Sequence, residues 1–238
     1  MYKRQVSTWA EGFSRTHRSV TKLNALVLQA LHNRGLHRVL HWPIFPDVTT
    51  CGKSNIADIG TLSREKLCNV LNAGFIPLLH GSMVFDKTQR CSVLSGDKIV
   101  SCICKTFNND RPAWWWFDRP RSSDFHVKRC VFLTDVDGVF DVNPLEHSDA
   151  KLIKRIIIDR RGLPLERFFQ DVEKADQKSS RRRVSVDVTG GMDSKLASSY
   201  QTAAQSSCPV YIVKAGSRDA LLALTGQLPK LGTEIISQ

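Results

Sequence analysis

The chain has 238 residues, 42% of them hydrophobic and 24% charged, which is ordinary for a soluble globular protein and enough for a core that needs no staples. No apolar run approaches the roughly 18–20 residues of a membrane helix, and the basic start MYKRQVSTWAEGFSR has no apolar segment of the kind a secretory signal requires. The net charge of +11 is dispersed, apart from Arg181-Arg182-Arg183 and the stretch Arg111 to Arg129, so it reads as a solvated surface plus a site that handles anions rather than as a nucleic-acid footprint.

The elements follow in chain order. Residues 16–34 place Val20, Leu23, Leu26, Val27, Ala30 and Leu31 at helical spacing, and Gly35 is the expected C-cap. HRVLHWPIF predicts a short strand stopped by Pro43 and Pro46. Residues 63–73 predict a second helix between Ser63 and Gly74. FIPLLHG (75–81) has strand length, and SGDKIVSCICK (95–105) reads as a helix start followed by a buried helix. The segment 106–128 interrupts the pattern with Trp114-Trp115-Trp116-Phe117 among arginines and reads as an inserted surface loop. Stacking on bases is open to such a loop, but folding back onto its own domain or packing in a dimer is the commoner fate.

CVFLTDV (130–136) is a continuous apolar run of the kind buried on both faces of a parallel sheet. AKLIKRIII (150–158) mixes a turn with a strand, and 159–183 is a polar loop. VSVDV (184–188) is a strand, TGGMDSKLASSYQTAAQ a helix, PVYIVKA (209–215) a strand, SRDALLALTG a helix capped by Gly226, and GTEIIS a last strand. This alternation predicts a single α/β domain over 1–238 with an open, mainly parallel sheet and helices on both faces. The seven cysteines contain no CxxC pair, which argues against a zinc or thioredoxin-like site, and reduced thiols suit the cytosol.

Three loops carry chemistry, each at the C-terminal end of a predicted strand, where open α/β sheets bind ligands. In the first, Ser95-Gly96-Asp97, a glycine opens a helix whose free N–H groups favour a phosphate. It is also a common turn and cap. In the second, Asp135, Asp137 and Gly138 leave a buried strand together; a metal or ribose contact and a plain Asx turn explain them equally well. In the third, Gly190 and Gly191 precede a helix that carries Lys195 one turn in. Backbone amides and one ammonium then aim at a common anion. The Walker A spacing and GxGxxG are both absent.

Taken together and in this order, these loops resemble those of the amino acid kinase superfamily, and within it the isopentenyl phosphate kinases of eukaryotes. LNALVLQAL (23–31), IPLLHG (76–81), CSVLSGDKIV (91–100), VFLTDVDGVFDVNP (131–144), DVTGGMDSK (187–195), VYIVKAG (210–216) and LTGQLPKLGTEI (224–235) carry the resemblance. It implies a three-layer α/β/α sandwich using ATP and Mg²⁺ to phosphorylate isopentenyl phosphate in the cytoplasm, and a homodimer. It also implies that Ser95 and Gly96 lie at the substrate phosphate. Asp135, Asp137, Gly138, Gly190, Gly191 and Lys195 would then face the nucleotide, with Lys195 as the catalytic cation. No residue is expected to form a dedicated metal site.

Two departures stand out. The glycine-rich strand-loop segments with which this family begins, including a phosphate-binding histidine, have no counterpart. The N-terminal strand is therefore expected to lie upstream of this sequence, with residues 1–5 an adapter artefact. Ser82 also stands where the family usually has Asp, and neither His17 nor His80 occupies the position of the family's histidine.

Overall fold

The computed structural model describes residues 2–52, 55–108, 125–144, 146–169 and 190–238. The described residues gather into two compact units. The first takes residues up to Thr106 together with Phe125, and the second takes Phe107–Asn108 and His126–Gln238. The Trp114–Trp116 run, most of the polar loop and the expected VSVDV strand lie outside the described residues.

The first unit opens with α1 (Tyr2–Asn33), which begins well before the predicted residue 16. Gly35 ends it at φ +83°. The Leu36 N–H donates to Leu31 O at 3.1 Å and the Gly35 N–H to His32 O at 2.9 Å, the paired bonds of a Schellman motif. Helix α2 (Arg64–Asn72) closes in the same way at Gly74, while Ser63 precedes it without a side-chain cap bond.

The buried face of α1 differs from the predicted stripe. Phe13, His17, Val20, Asn24, Leu28 and Leu31 turn inward at i, i+4, i+7 spacing, whereas Leu23 and Leu26 are 62% and 55% exposed. The helix meets strands β1 (Val39–His41) and β5 (Ser82–Asp86). There Phe13 joins Phe45 and Phe85, with ring centroids 5.2 and 5.6 Å away. An aromatic partner outside the helix selected the face, and periodicity within the helix carries no signal for that.

Strand β1 pairs in parallel with β4 (Ile76–Leu78), with His41 opposite Leu78. A second sheet runs in the order β3-β2-β5-β6, with β2 at Thr49–Thr50, β3 at Ile56–Asp58 and β6 at Arg90–Leu94. Sequence periodicity does not reveal this sheet, because most of its strands are short and mix polar with apolar residues on both faces. Ile44, Val48, Leu62, Val84, Leu94 and Ile99 form its core, Ile99 coming from α3 (Gly96–Asn108).

Asp86 fixes the sheet's turn. One carboxylate oxygen accepts from Thr50 Oγ1 at 2.7 Å and the Gly52 N–H at 3.0 Å. The other accepts from the Thr88 N–H at 2.8 Å, Thr88 Oγ1 at 2.7 Å and the Gln89 N–H at 2.9 Å. Desolvation pushes this carboxyl's pKa up, but the hydrogen bonds from Thr50, Thr88 and Gln89 outweigh it and hold the group well below the ordinary carboxylate range.

In the second unit the strand order is β10-β9-β12-β11-β7, with β8 (Val139–Phe140) also on β9. The strands are β7 (Cys130–Thr134), β9 (Leu152–Ile158), β10 (Pro164–Phe169), β11 (Val210–Lys214) and β12 (Thr233–Ser237). The α/β class holds, but the pairing is mixed. It is parallel in β11–β7 and β12–β9 and antiparallel in β9–β10, β11–β12 and β8–β9. Strand β10 occupies part of the predicted polar loop; Asp159 builds its turn by accepting from the Arg161 and Leu163 N–H groups. Among the described residues strand β7 ends this strand order, and its Leu133 is 47% exposed.

Helix α4 (Gly190–Ser206) packs on β12, β11 and β9. It does so despite a polar sequence because its buried hydroxyls bond back to the helix: Ser199 to Lys195 O at 2.8 Å, Thr202 to Ser198 O at 2.7 Å, Ser206 to Thr202 O at 2.6 Å. Helix α5 (Arg218–Thr225) starts at Ser217, which accepts from the Ala220 N–H, and ends at left-handed Gly226.

A depressed folded pKa means that Asp86 contributes stability above the ordinary value of about 3.9 and that this contribution drains away as pH falls below it. Asp86→Asn should therefore lower Tm at neutral pH, since an amide nitrogen cannot accept from Thr50 and Gly52. The loss should shrink as thermal melts are repeated at pH values descending below 4; a constant difference across that range would contradict the role.

Candidate active site

In the first unit, β6 ends at Leu94 and Ser95 leads into α3. The Lys98 N–H donates to Ser95 Oγ at 3.3 Å, so the hydroxyl caps the helix and keeps its own proton free to donate. The Cβ direction of Gly96 meets nothing within 4 Å. The α3 start is thus an amide-lined end with open space above its glycine, which suits an anion. Gly81 backs onto it: a Cβ there would lie 2.8 Å from Leu94 O and 3.1 Å from the Gly96 nitrogen. The segment after β4 is therefore pressed against the first turn of α3.

In the second unit, β7 delivers Asp135 to its C-terminal end. Asp135 is exposed and accepts from Thr134 Oγ1 at 3.1 Å, and Asp137 is half-buried in the following turn. Gly138 is enclosed by protein. A Cβ there would meet Thr233 Oγ1 at 2.8 Å, Leu152 Cδ1 at 2.9 Å and the Gly232 carbonyl carbon at 3.1 Å. Close packing is sufficient reason for this glycine. Thr233 locks the contact, accepting from the Val139 N–H at 2.8 Å and donating to Ile153 O at 2.6 Å.

Gly190 and Gly191 form the first turn of α4, as the sequence predicts, and the residues immediately before them lie outside the described residues. Lys195 follows one turn in and is half-buried. Its Nζ lies 5.4 Å from the centroid of Phe132, a buried residue of β7. That is within cation–π range. The ring sets the ammonium beside the strand that carries Asp135. Sequence inspection overlooks Phe132 and Thr233, because a buried aromatic and a strand threonine carry no functional signature.

Among the described residues, no three His, Cys, Asp or Glu side chains are grouped so as to hold a metal ion, and no helix is long and apolar enough to cross a membrane. The chemistry these elements offer is anion handling: two helix starts with glycine at their first turn, one lysine and one exposed carboxylate at a strand end.

Two helices of this α/β protein, α3 and α4, begin with glycine in their first turn. Residues 122–214 match the model of the amino acid kinase family. Over 224 residues the chain is 31% identical to an isopentenyl phosphate kinase of Arabidopsis thaliana, which covers 91% of this chain and 58% of that protein. It is 29% identical over 187 residues to an isopentenyl phosphate kinase of Methanothermobacter thermautotrophicus, covering 78% and 56%. The chain thus spans somewhat more than half the length of these relatives. A crystal structure of isopentenyl phosphate kinase superposes with a TM-score of 0.66 at 23% identity, over 98% of this chain and 72% of that one. Residues 122–214 thus match the amino acid kinase family, and the chain as a whole is similar to these isopentenyl phosphate kinases.

The two glycines should respond oppositely to alanine. Gly138→Ala forces Thr233 from its two bonds and should cost about 1–3 kcal/mol, seen as a Tm loss of roughly 2–4 °C per kcal/mol. Gly96→Ala meets open space and should leave Tm unchanged or slightly raised, since alanine favours helix. Equal losses in differential scanning calorimetry would contradict the distinction.

Proposed function

We propose that this protein is an ATP-dependent kinase that converts isopentenyl phosphate to isopentenyl diphosphate, a step of isoprenoid biosynthesis. The observation that carries the reading is the 31% identity to the Arabidopsis isopentenyl phosphate kinase over 91% of the chain. The local geometry supports it at both loop sets.

Phosphoryl transfer depends on positioning and on neutralising charge over the transferring group more than on a protein base. In this reading the α4 amides at Gly190 and Gly191 and the Lys195 ammonium receive the ATP phosphates. The Phe132 ring sets the Lys195 ammonium beside β7. Asp135, Asp137 and the backbone at Gly138 border the nucleotide, and Ser95 and Gly96 receive the phosphate of the acceptor.

ATP enters such reactions with Mg²⁺, which keeps several waters and takes one or two carboxylates beside the nucleotide phosphates. Exposed Asp135 at the end of β7 fits that modest demand without a three-ligand cage. When bound, the ion would neutralise phosphate charge. Cytoplasmic action and a homodimer complete the proposal; all seven cysteines are free thiols, in keeping with a reducing compartment.

The test is acceptor-dependent ADP release, measured by a coupled assay with isopentenyl phosphate against a panel of other phosphomonoesters and carboxylates. Preferential turnover of isopentenyl phosphate is expected. Turnover of another acceptor in its place would contradict the proposal. Lys195→Ala should lower kcat by about 10²-fold or more; near-unchanged turnover would remove Lys195 from the reaction.

A further inference from the structure

Strands β7 and β11 pair in parallel, with Phe132 opposite Ile212 and Thr134 opposite Lys214. Tyr211 and Val213 of β11 pack with Ala220 and Ala223 of α5, and Val131 of β7 joins them. Side chains alternate between the two faces of a strand, so Phe132, Thr134, Ile212 and Lys214 belong to the opposite face. That is the face of Lys195, whose Nζ reaches from α4 to within 5.4 Å of the Phe132 ring centroid. Lys214 stands one strand across and two residues along from Phe132, which puts their Cα atoms about 8 Å apart. Two lysines from different elements thus share one face of the sheet near one buried ring.

The backbone at Lys214 is fixed from both sides. Its carbonyl oxygen accepts from Ser217 Oγ at 2.7 Å, and the next amide, that of Ala215, donates to Thr134 O at 2.7 Å. The ammonium is not spent in the same way. Lys214 is exposed and forms no ion pair among the described residues. Two carboxylates near it in the sheet and the chain have other donors. Asp135 accepts from Thr134 Oγ1, and Asp219 accepts from the Lys230 and Leu231 N–H groups. A cation is therefore held on a fixed backbone at the C-terminal end of two parallel strands, the end at which α/β sheets bind ligands.

We propose that Lys214 is a second cation for the nucleotide phosphates, beside Lys195. This rests on the kinase reading, and it adds a residue that none of the three loop motifs contains. ATP brings more negative charge than one ammonium offsets, and phosphoryl transfer depends on positioning and neutralisation. Lys195, at the start of α4, serves the transferring group. Lys214 donates to an oxygen of the phosphates that remain with ADP, so it acts on nucleotide binding more than on the chemical step.

The experiment is calorimetric titration of the intact chain with ATP, ADP and adenosine. Wild type is compared with Lys214→Met, Lys214→Arg and, as a charge control on the exposed side of α1, Lys22→Met. Lys214→Met should keep the wild-type Tm, because the side chain is exposed, and should weaken ATP and ADP about tenfold. Adenosine, which has no phosphate, should bind unchanged. Lys214→Arg should recover most of the affinity, and Lys22→Met should match wild type. In turnover, Lys214→Met should raise KM for ATP and leave kcat within about twofold, the pattern of lost uniform binding. Unchanged ATP affinity in Lys214→Met, or equal losses for ATP and adenosine, would overturn the assignment and leave the kinase reading standing. A phosphate-dependent loss in a chain that turns over an acceptor other than isopentenyl phosphate would keep Lys214 and remove that reading. A wild-type chain that binds no adenine nucleotide would overturn both.

Discussion

The close approach of Gly138 to Thr233 sets the geometry on which the second unit depends. Thr233 is fully buried and bridges the Val139 amide to the Ile153 carbonyl. With one hydroxyl it ties the loop after β7 to both β12 and β9. An Asp135 carboxylate at the end of a free loop would sample many positions. Held by this bridge, it stands at a fixed strand end, and Lys195 is brought toward the same strand by the buried ring of Phe132. The Asp135 loop is therefore organised from beneath, by the buried Thr233 and Phe132.

The first unit uses a parallel device with different chemistry. Gly81 has no room for a side chain because Leu94 O and the Gly96 amide occupy its Cβ direction. That contact presses the His80 segment onto the start of α3, and Ser95 caps the helix without spending its own proton. Asp86, with five donors around one carboxylate, secures the neighbouring β5–β6 turn. In both units an unsubstituted Cα marks where two elements must touch, at Gly81 and Gly138, while the Cβ direction of Gly96 stays open.

Much of this was legible in the sequence. Gly35, Gly74 and Gly226 end their helices as expected, because a left-handed C-cap is written in one residue. The strands β7 and β11 and the glycine start of α4 are local signals, and the structure reproduces them. What periodicity could not supply is non-local. The β3-β2-β5-β6 sheet rests on polar strands joined by an aspartate turn. The inward face of α1 is set by Phe45 and Phe85, not by the Leu23-Leu26-Val27 stripe. The mixed pairing of the second sheet depends on partners distant in the chain. Phe132 under Lys195 is likewise a product of topology, and no spacing rule connects residues so far apart.

The central claim is that the family fold here serves transfer of phosphate onto isopentenyl phosphate. The most direct measurement is ³¹P NMR of isopentenyl phosphate incubated with ATP, Mg²⁺ and the protein. The account predicts loss of the monophosphate resonance and growth of the two coupled resonances of an alkyl diphosphate, in step with ADP. ATP consumption that leaves the isopentenyl phosphate resonance unchanged would contradict it.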